Sequence, residues 1–215
     1  MRKAMLATAL LAVTAVTAVA TSSSGAARHT LPPWMLNHPP ASVKRSPASA
    51  NRPDPVLATF LARARLATAK YVTNLAAAKA DGYGIITKMI PDMGYHFMNP
   101  RLTGFEPTKP PILVYEKHGS TWQLGAIEWV FTSKPKTPPL PGATYGAFGA
   151  GCHYKDGSYV PAQTQDSCPK TAPSSGAAFN FWHPNLITLH VWLWYPNPSG
   201  LYSGANPLVQ PFNSQ

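Results

Sequence analysis

The chain has 215 residues and a formal net charge of +10, from 18 basic and 8 acidic side chains. This length is ample for one domain with its own core. A nucleic-acid-binding surface needs a basic stripe with interleaved aromatic residues. Here four basic residues lie within residues 28–53, ahead of the first predicted helix, and the aromatic C-terminal third contains only Lys155 and Lys170 as basic residues. We therefore predict no nucleic-acid partner.

The first 20 residues are typical of a secretory signal peptide. Arg2 and Lys3 form a short basic region, an apolar run follows, and Ala18-Val19-Ala20 fits a small-residue cleavage site. A retained transmembrane anchor is the alternative, but the run is short of the ~20 strongly apolar residues that a span needs. We predict a secreted protein, cleaved after residue 20 or as late as residue 27, with no transmembrane span in the mature chain.

Two further segments follow the signal peptide. Residues 28–53 are rich in Pro, Ser and Ala and lack periodicity, so we predict a flexible linker. Residues 54–215 are predicted to form a single globular domain. Asp54 and Pro55 are favourable residues for a helix N-cap and for the first helical position.

A long amphipathic helix is the first element predicted in this domain. Apolar residues recur at intervals of three to four over residues 54–81, and Gly82 provides a stop. We expect this N-terminal helix to dock on a sheet through Phe60, Tyr71 and Leu75.

After the helix the hydrophobic period changes to two. Short β-rich runs begin at residues 83, 93, 111, 122 and 186, and turn residues separate them. The segment from Lys117 to Thr121 is typical of a hairpin turn. The pattern predicts an α+β fold with a mostly antiparallel sheet that could curl into a barrel-like shape. Residues 132–180 are predicted to be a long loop, which inside a domain is usually functional.

The two cysteines, Cys152 and Cys168, lie within this predicted loop. In an exported chain such a pair predicts a disulfide, which would stabilise the fold by roughly 3 kcal/mol. A metal pair that includes the adjoining His153 is the alternative, although the spacing fits no common zinc pattern.

The last predicted strand, LITLHVWLWY, carries two different faces. Alternation points one aliphatic set toward the helix. This set consists of Ile187, Leu189, Val191 and Leu193. The opposite face carries polar and aromatic side chains, namely Thr188, His190, Trp192 and Trp194.

Two further ionisable residues, His96 and Glu128, lie inside apolar strands. A buried carboxylate costs several kcal/mol unless it is paired, so we hypothesise that Glu128 meets His96 and His190. Two histidines and a carboxylate are the ligand types of a mononuclear site for a divalent transition metal. The same three residues are candidates for a catalytic His–Glu acid–base pair. The alternative is that each is satisfied separately by hydrogen bonds in the core.

The remaining histidines are assigned by their surroundings. His183 precedes Pro184, which interrupts the strand and removes the constraint of alternation, so His183 is an additional candidate metal ligand. His118 and His153 lie in turn-like stretches and are predicted to be exposed.

Aromatic residues suggest a ligand surface, because Trp and Tyr faces bind sugars and small apolar molecules. The predicted ligand-binding side chains are Trp192, Trp194 and Tyr115, and filling of the core is the alternative. Three functions are therefore open. The first is binding of a small ligand or metal in a His/Glu/Trp-lined pocket. The second is a wall- or surface-associated module that binds cell-envelope polysaccharide, and the third is a hydrolase- or lyase-like enzyme.

Three blocks of this chain resemble a family of exported bacterial proteins of the actinobacterial type, whose function is uncharacterised. The blocks are MGYH within Met93–Pro100, LVYE and the later EW within Pro111–Trp129, and HVWLW with its NP turns within Phe181–Pro207. The resemblance implies an exported globular domain. It implies no activity and transfers no site residues.

Overall fold

The computed structural model describes residues 54–212. The predicted signal peptide and linker lie outside the described residues and stay predictions. Asp54 caps the first helix as expected, since its Oδ1 accepts hydrogen bonds from the N–H groups of Val56 and Leu57 at 2.8 and 3.2 Å. This helix, α1, spans Pro55–Thr68.

The prediction of one long helix over 54–81 is wrong. Helix α1 ends at Thr68, a 3-10 turn spans Ala69–Tyr71, and a short second helix, α2, spans Leu75–Ala80. The three predicted docking residues are nevertheless buried in one core cluster, with Phe60 4%, Tyr71 7% and Leu75 6% exposed.

Tertiary hydrogen bonds explain the break between the helices. The Tyr115 hydroxyl donates to the Tyr71 carbonyl at 2.8 Å, and the Leu124 N–H donates to the Val72 carbonyl at 2.7 Å. These carbonyls are the acceptors that a continuous helix would use for its own next turn. Asn74 then starts α2 by accepting the Ala77 N–H. The sheet therefore competes successfully with continuation of the helix.

Nine strands within residues 54–212 form two sheets of antiparallel pairs. The main-sheet strands are β1 (Gly84–Ile85), β2 (Tyr95–Met98), β3 (Ile112–His118), β4 (Thr121–Phe131), β5 (Gly146–Phe148) and β9 (Leu186–Trp192). The small-sheet strands are β6 (Gly151–Tyr154), β7 (Tyr159–Pro161) and β8 (Phe179–His183).

The main sheet has the strand order β1-β2-β3-β4-β9-β5, and the small sheet has the order β7-β6-β8. The predicted α+β class is confirmed, but the sheets do not close into a barrel. The hairpin predicted between β3 and β4 is confirmed as well. His118 pairs with Thr121 across it, and Gly119 takes the positive φ of 56° that the tight turn requires.

The two faces of the main sheet pack against different layers. One face joins the helices in a core that includes Leu189, Val191 and Leu193, as the alternation of the last strand predicts. The other face meets the small sheet, and Trp192 and Phe181 lie in the cluster between them. The helices, the main sheet and the small sheet thus form three successive layers.

The long loop predicted for residues 132–180 is wrong in part, because this segment contains β5, β6 and β7. The disulfide prediction is confirmed: the Sγ atoms of Cys152 and Cys168 are 2.07 Å apart. Cys152 and Tyr154 are completely buried in a cluster with Ala172 on the outer face of the small sheet. The disulfide therefore belongs to a third, local core.

No helix in the described part of the chain combines the length and the apolar character needed to cross a bilayer. Helix α1, with 14 residues, is the longest in this part.

Replacement of Tyr71 with Asp tests how the helices are attached. The change would bury a charge close to Asp81, whose Oδ2 accepts a hydrogen bond from the Tyr71 hydroxyl at 2.6 Å. We expect the free energy of unfolding in urea to fall by about 3 kcal/mol. The matched control is Leu66→Asp on α1, where the side chain is 83% exposed and the expected change is within about 0.5 kcal/mol. Equal effects of the two changes would show that the helices are detached from the sheet.

Candidate functional site

The face of the main sheet that is turned away from the helices gathers the predicted ionisable residues. Glu128 pairs with His190 across β4 and β9, so these two side chains share a face. His96 on β2 pairs with Val114, which pairs with Ala126 two residues before Glu128, so His96 lies on this face too. All three are at least 94% buried.

The closest contact among the three predicted residues joins His96 and Glu128. The His96 Nε2 lies 3.5 Å from the Glu128 Oε2, and the rings of His96 and His190 are 6.3 Å apart between centroids. His190 faces Glu128 across the strand pair, yet both of its ring nitrogens are buried without a hydrogen-bond partner among the described residues. The three residues thus lie on one face, but only His96 and Glu128 make a direct polar contact.

Two histidines of the small sheet complete the surroundings. His153 on β6 and His183 on β8 lie with their ring centroids 4.9 Å apart, and the His153 ring stacks on Phe181 at 4.6 Å. The prediction that His153 is exposed is wrong, since only 1% of its surface is accessible. The error follows from the prediction of residues 132–180 as a loop. In a strand, alternation turns His153 away from the outward-packed Cys152 and Tyr154.

A cavity of about 190 Å³ lies between the two sheets. Its polar lining residues are Thr87, His96, Glu128, His153, His183 and Thr188. Most of the other lining residues are apolar, among them Ile86, Met98, Ile112, Val130, Phe148 and Phe181. At the solvent side, Ala147 is exposed and Leu186 is half-buried. The combination of an apolar wall with a few convergent polar groups is typical of a small-molecule site.

Three of the lining histidines are held by hydrogen bonds through Nδ1. The Nδ1 of His153 lies 2.6 Å from the Ile86 carbonyl oxygen, and that of His183 lies 2.6 Å from the Pro184 carbonyl oxygen. The Nδ1 of His96 lies 2.9 Å from the Thr87 hydroxyl. Each ring is therefore fixed in orientation by its contact with a neighbouring residue.

Burial shifts the ionisation of the whole group. Desolvation, followed by the nearby His153, lowers the pKa of His96 to about 4, and desolvation lowers the pKa of His190 to about 3. Desolvation also lowers the pKa of His153 to about 4. It raises the pKa of Glu128 to about 7, while a hydrogen bond from Thr188 acts in the opposite direction. At neutral pH these histidines are uncharged, so the contact of His96 with Glu128 is a polar contact and not an ion pair.

The structure does not support the predicted metal site. Within residues 54–212, no group of three or more His, Cys, Asp or Glu side chains is arranged to hold a metal ion. His183 lines the cavity near His153, while His190 is not among the lining residues. The predicted ligands His96, Glu128 and His190 therefore form no metal-binding group.

The predicted aromatic ligand residues lie away from this cavity. Two of them, Trp192 and Trp194, line a separate surface groove. The Trp192 side chain is buried and its Nε1 donates to the Ser203 carbonyl at 2.7 Å. The Trp194 Nε1 donates to the Thr68 hydroxyl at 3.0 Å, on the helix side. Tyr115 is completely buried in the helix-side core. None of these three residues lines the cavity, and Trp192 and Trp194 form no flat exposed row.

The position of Trp194 corrects the predicted alternation. Strand β9 ends at Trp192, because the N–H groups of Leu193, Trp194 and Tyr195 all point to the Gly125 carbonyl, at 3.1, 2.9 and 3.3 Å. Three successive donors that share one acceptor cannot continue a ladder, so the period of two is lost there.

Glu116 was not predicted as a site residue, although it too lies in an apolar strand. Its side chain is completely buried, and neither carboxyl oxygen has a hydrogen-bond partner among the described residues. Burial raises the pKa of Glu116 to about 8. Gly94 makes room for the carboxyl group, since a Cβ at that position would collide with the Glu116 Oε1. The signal that identified Glu128 could have found Glu116, but the following Lys117 and His118 suggest an exposed strand end.

No family model, curated protein or solved structure matches this chain. The family resemblance of the three sequence blocks stays a prediction.

Replacement of Glu116 with Gln tests the burial of this carboxyl group. The folded chain holds the Glu116 proton up to about pH 8, whereas the unfolded chain releases it near pH 4.5, so this group makes the wild type less stable as the pH rises between these values. The variant has no such proton to lose. Its free energy of unfolding relative to the wild type should therefore increase between pH 5 and pH 8, by at least about 1 kcal/mol.

The matched control is Glu106→Gln. The Glu106 carboxylate is exposed, and hydrogen bonds from Thr108 lower its pKa, so its replacement should bring no gain at the higher pH. A difference between Glu116→Gln and the wild type that stays constant with pH would contradict the buried, protonated carboxyl group.

Proposed function

We propose that this protein binds a small, mostly apolar and uncharged molecule in the cavity between the two sheets. The observation that carries the proposal is the cavity of about 190 Å³, which combines apolar walls with the ionisable side chains of both sheets. Such a combination is the default signature of a ligand site. Because the disulfide is stable in an oxidising compartment, the proposal includes binding outside the cell, as the signal peptide predicts.

The size of the cavity limits the ligand. An apolar cavity of about 150 Å³ holds benzene, so about 190 Å³ suits a single ring with one or two additional heavy atoms. This is below the range of about 300–1,000 Å³ that is usual for drug-sized ligands. Sugars with several rings and polymer chains are too large to be enclosed.

The ionisation of the site favours an uncharged ligand. The histidines are neutral at physiological pH, and the Glu128 proton is only partly released there. A charged ligand would lose its hydration on entering the cavity, which costs several kcal/mol. The described lining of the cavity has no fully ionised group of opposite charge to compensate for this cost. Neutral molecules escape this cost.

An enzyme with an acid–base pair is the second candidate function, and the contact between His96 and Glu128 favours it. A carboxyl group with a pKa of about 7 can both give and take a proton at neutral pH. A neutral His96 beside it could relay that proton. An enzyme would convert a bound compound into a product, whereas a binding protein would release it unchanged. The Glu128→Gln variant of an enzyme should lose this conversion and still bind the compound.

Replacement of Leu186 with Phe tests the proposal by reducing the cavity. Leu186 lines the cavity, and adjacent Ile187 does not, because alternation turns it to the other face of β9. With toluene and phenol as probes, we expect Leu186→Phe to weaken binding by at least about tenfold, or about 1.4 kcal/mol. Calorimetry or ligand-observed NMR measures the affinities.

The matched control, Ile187→Phe, makes the same kind of change at a half-buried position on the opposite face. It should leave the affinities within about twofold of the wild type. The proposal fails if neither probe binds the wild type, or if the two variants weaken binding equally.

A further inference from the structure

The hydrogen bond of His153 fixes which ring nitrogen carries its proton. Its Nδ1 lies 2.6 Å from the Ile86 carbonyl oxygen, and a carbonyl oxygen can only accept a hydrogen bond. The proton of the neutral ring is therefore on Nδ1. The Nε2 is left with a lone pair and acts as an acceptor.

His183 is fixed in the same way. Its Nδ1 donates to the Pro184 carbonyl oxygen at 2.6 Å, and desolvation lowers the pKa of the ring. Its Nε2 is buried and has no hydrogen-bond partner among the described residues. A buried acceptor without a partner costs about 1–3 kcal/mol, which a suitable ligand would recover. Since the ring lines the cavity, the ligand is the group best placed to supply that partner.

The other polar groups of the cavity are already engaged with one another. The Thr87 hydroxyl accepts the His96 backbone N–H at 3.1 Å, and its own proton can then go to the His96 Nδ1 at 2.9 Å. The His96 Nε2 lies 3.5 Å from the Glu128 Oε2. Glu128 also receives a hydrogen bond from Thr188. These groups thus have polar neighbours within the cavity, whereas the buried Nε2 of His183 has no hydrogen-bond partner among the described residues.

We propose that the cavity recognises its ligand as a hydrogen-bond donor, an uncharged hydroxyl group on a single ring, which donates to the Nε2 of His183. His153 provides a second acceptor nearby, with its ring centroid 4.9 Å from that of His183. This inference rests on the proposed function, since it specifies the polarity of the same ligand. The apolar walls hold the ring and the histidine edge selects the hydroxyl group.

The inference separates ligands of equal size. Phenol and toluene differ only in a hydroxyl or a methyl group, and an apolar cavity without acceptors would prefer toluene, because a hydroxyl group is more costly to remove from water. Benzoate presents acceptors and a negative charge to lone pairs, so it is rejected. Benzylammonium has donors, but its charge must lose its hydration.

The experiment measures the affinities of these four probes for the full-length purified protein at neutral pH by calorimetry. We expect phenol to bind at least about threefold more tightly than toluene, the ratio that one net hydrogen bond provides. Neither benzoate nor benzylammonium should compete with phenol.

Replacement of His183 with Phe removes the acceptor and keeps a ring, so the preference should reverse in favour of toluene. The matched control is His118→Phe, because His118 stacks on Phe212 and does not line the cavity. It should keep the preference of the wild type. If His183→Phe does not fold, the 15N NMR signal of the wild-type His183 Nε2 provides an independent test. It should move toward the values of a hydrogen-bonded nitrogen when phenol is added, and not when toluene is added.

The outcomes are distinct for the two proposals. The donor inference would be overturned if toluene bound as tightly as phenol, or if the His183 Nε2 signal did not change when phenol was added. Either result would leave the binding function intact. Binding of benzoate in preference to phenol would overturn the donor inference as well. Failure of both phenol and toluene to bind would overturn the proposed function itself.

Discussion

Coverage of the main sheet on both faces is the constraint on which the site depends. At the centre of β4, Ile127 and Trp129 pack into the helix-side core, and Glu128 between them must point the other way. If that second face met water, Glu128 would be an ordinary surface carboxylate. The small sheet covers it instead, so Glu128 and His96 are desolvated together. The shifted pKa values of Glu128 and His96 therefore result from coverage of this face by the small sheet.

Polar contacts supplement the apolar cluster that joins the small sheet to the main one. The His153 ring bonds to the Ile86 carbonyl, and the Lys88 N–H donates to the Gly157 carbonyl at 2.7 Å. Outside this sheet, the disulfide and the cluster around Tyr154 form a core of their own. Such a local core lets the small sheet keep its shape while its inner face stays open enough to leave a cavity. The two histidines that the small sheet contributes are thereby fixed on a rigid element.

Features of the site that depend on local pattern could be predicted from the sequence. The cap at Asp54, the hairpin before Thr121 and the opposite faces of Leu189 and His190 all follow from neighbours in the chain. The requirement of Glu128 for a polar partner could also be predicted, because a carboxyl group buried in an apolar strand is costly without one. His96 meets this expectation.

Features set by distant groups could not be predicted in the same way. The break after α1 depends on donors from Tyr115 and Leu124, which lie over 40 residues further along the chain. The end of β9 depends on the Gly125 carbonyl. The burial of His153 depends on a small sheet whose strands are only three to five residues long, too short for hydrophobic alternation to be recognised. In each case a tertiary contact overrides a local preference.

Titration of individual side chains by NMR tests the central claim, that the site is desolvated between two sheets. The 13C signal of the Glu128 carboxyl group and the ring signals of His96 and His190 would be followed from about pH 3 to about pH 9. A desolvated site should give a Glu128 midpoint at about 7, with His96 and His190 gaining protons only at about 4 and about 3. A Glu128 midpoint near 4.5 together with histidine midpoints near 6.5 would mean that water reaches this face and that the site is not desolvated.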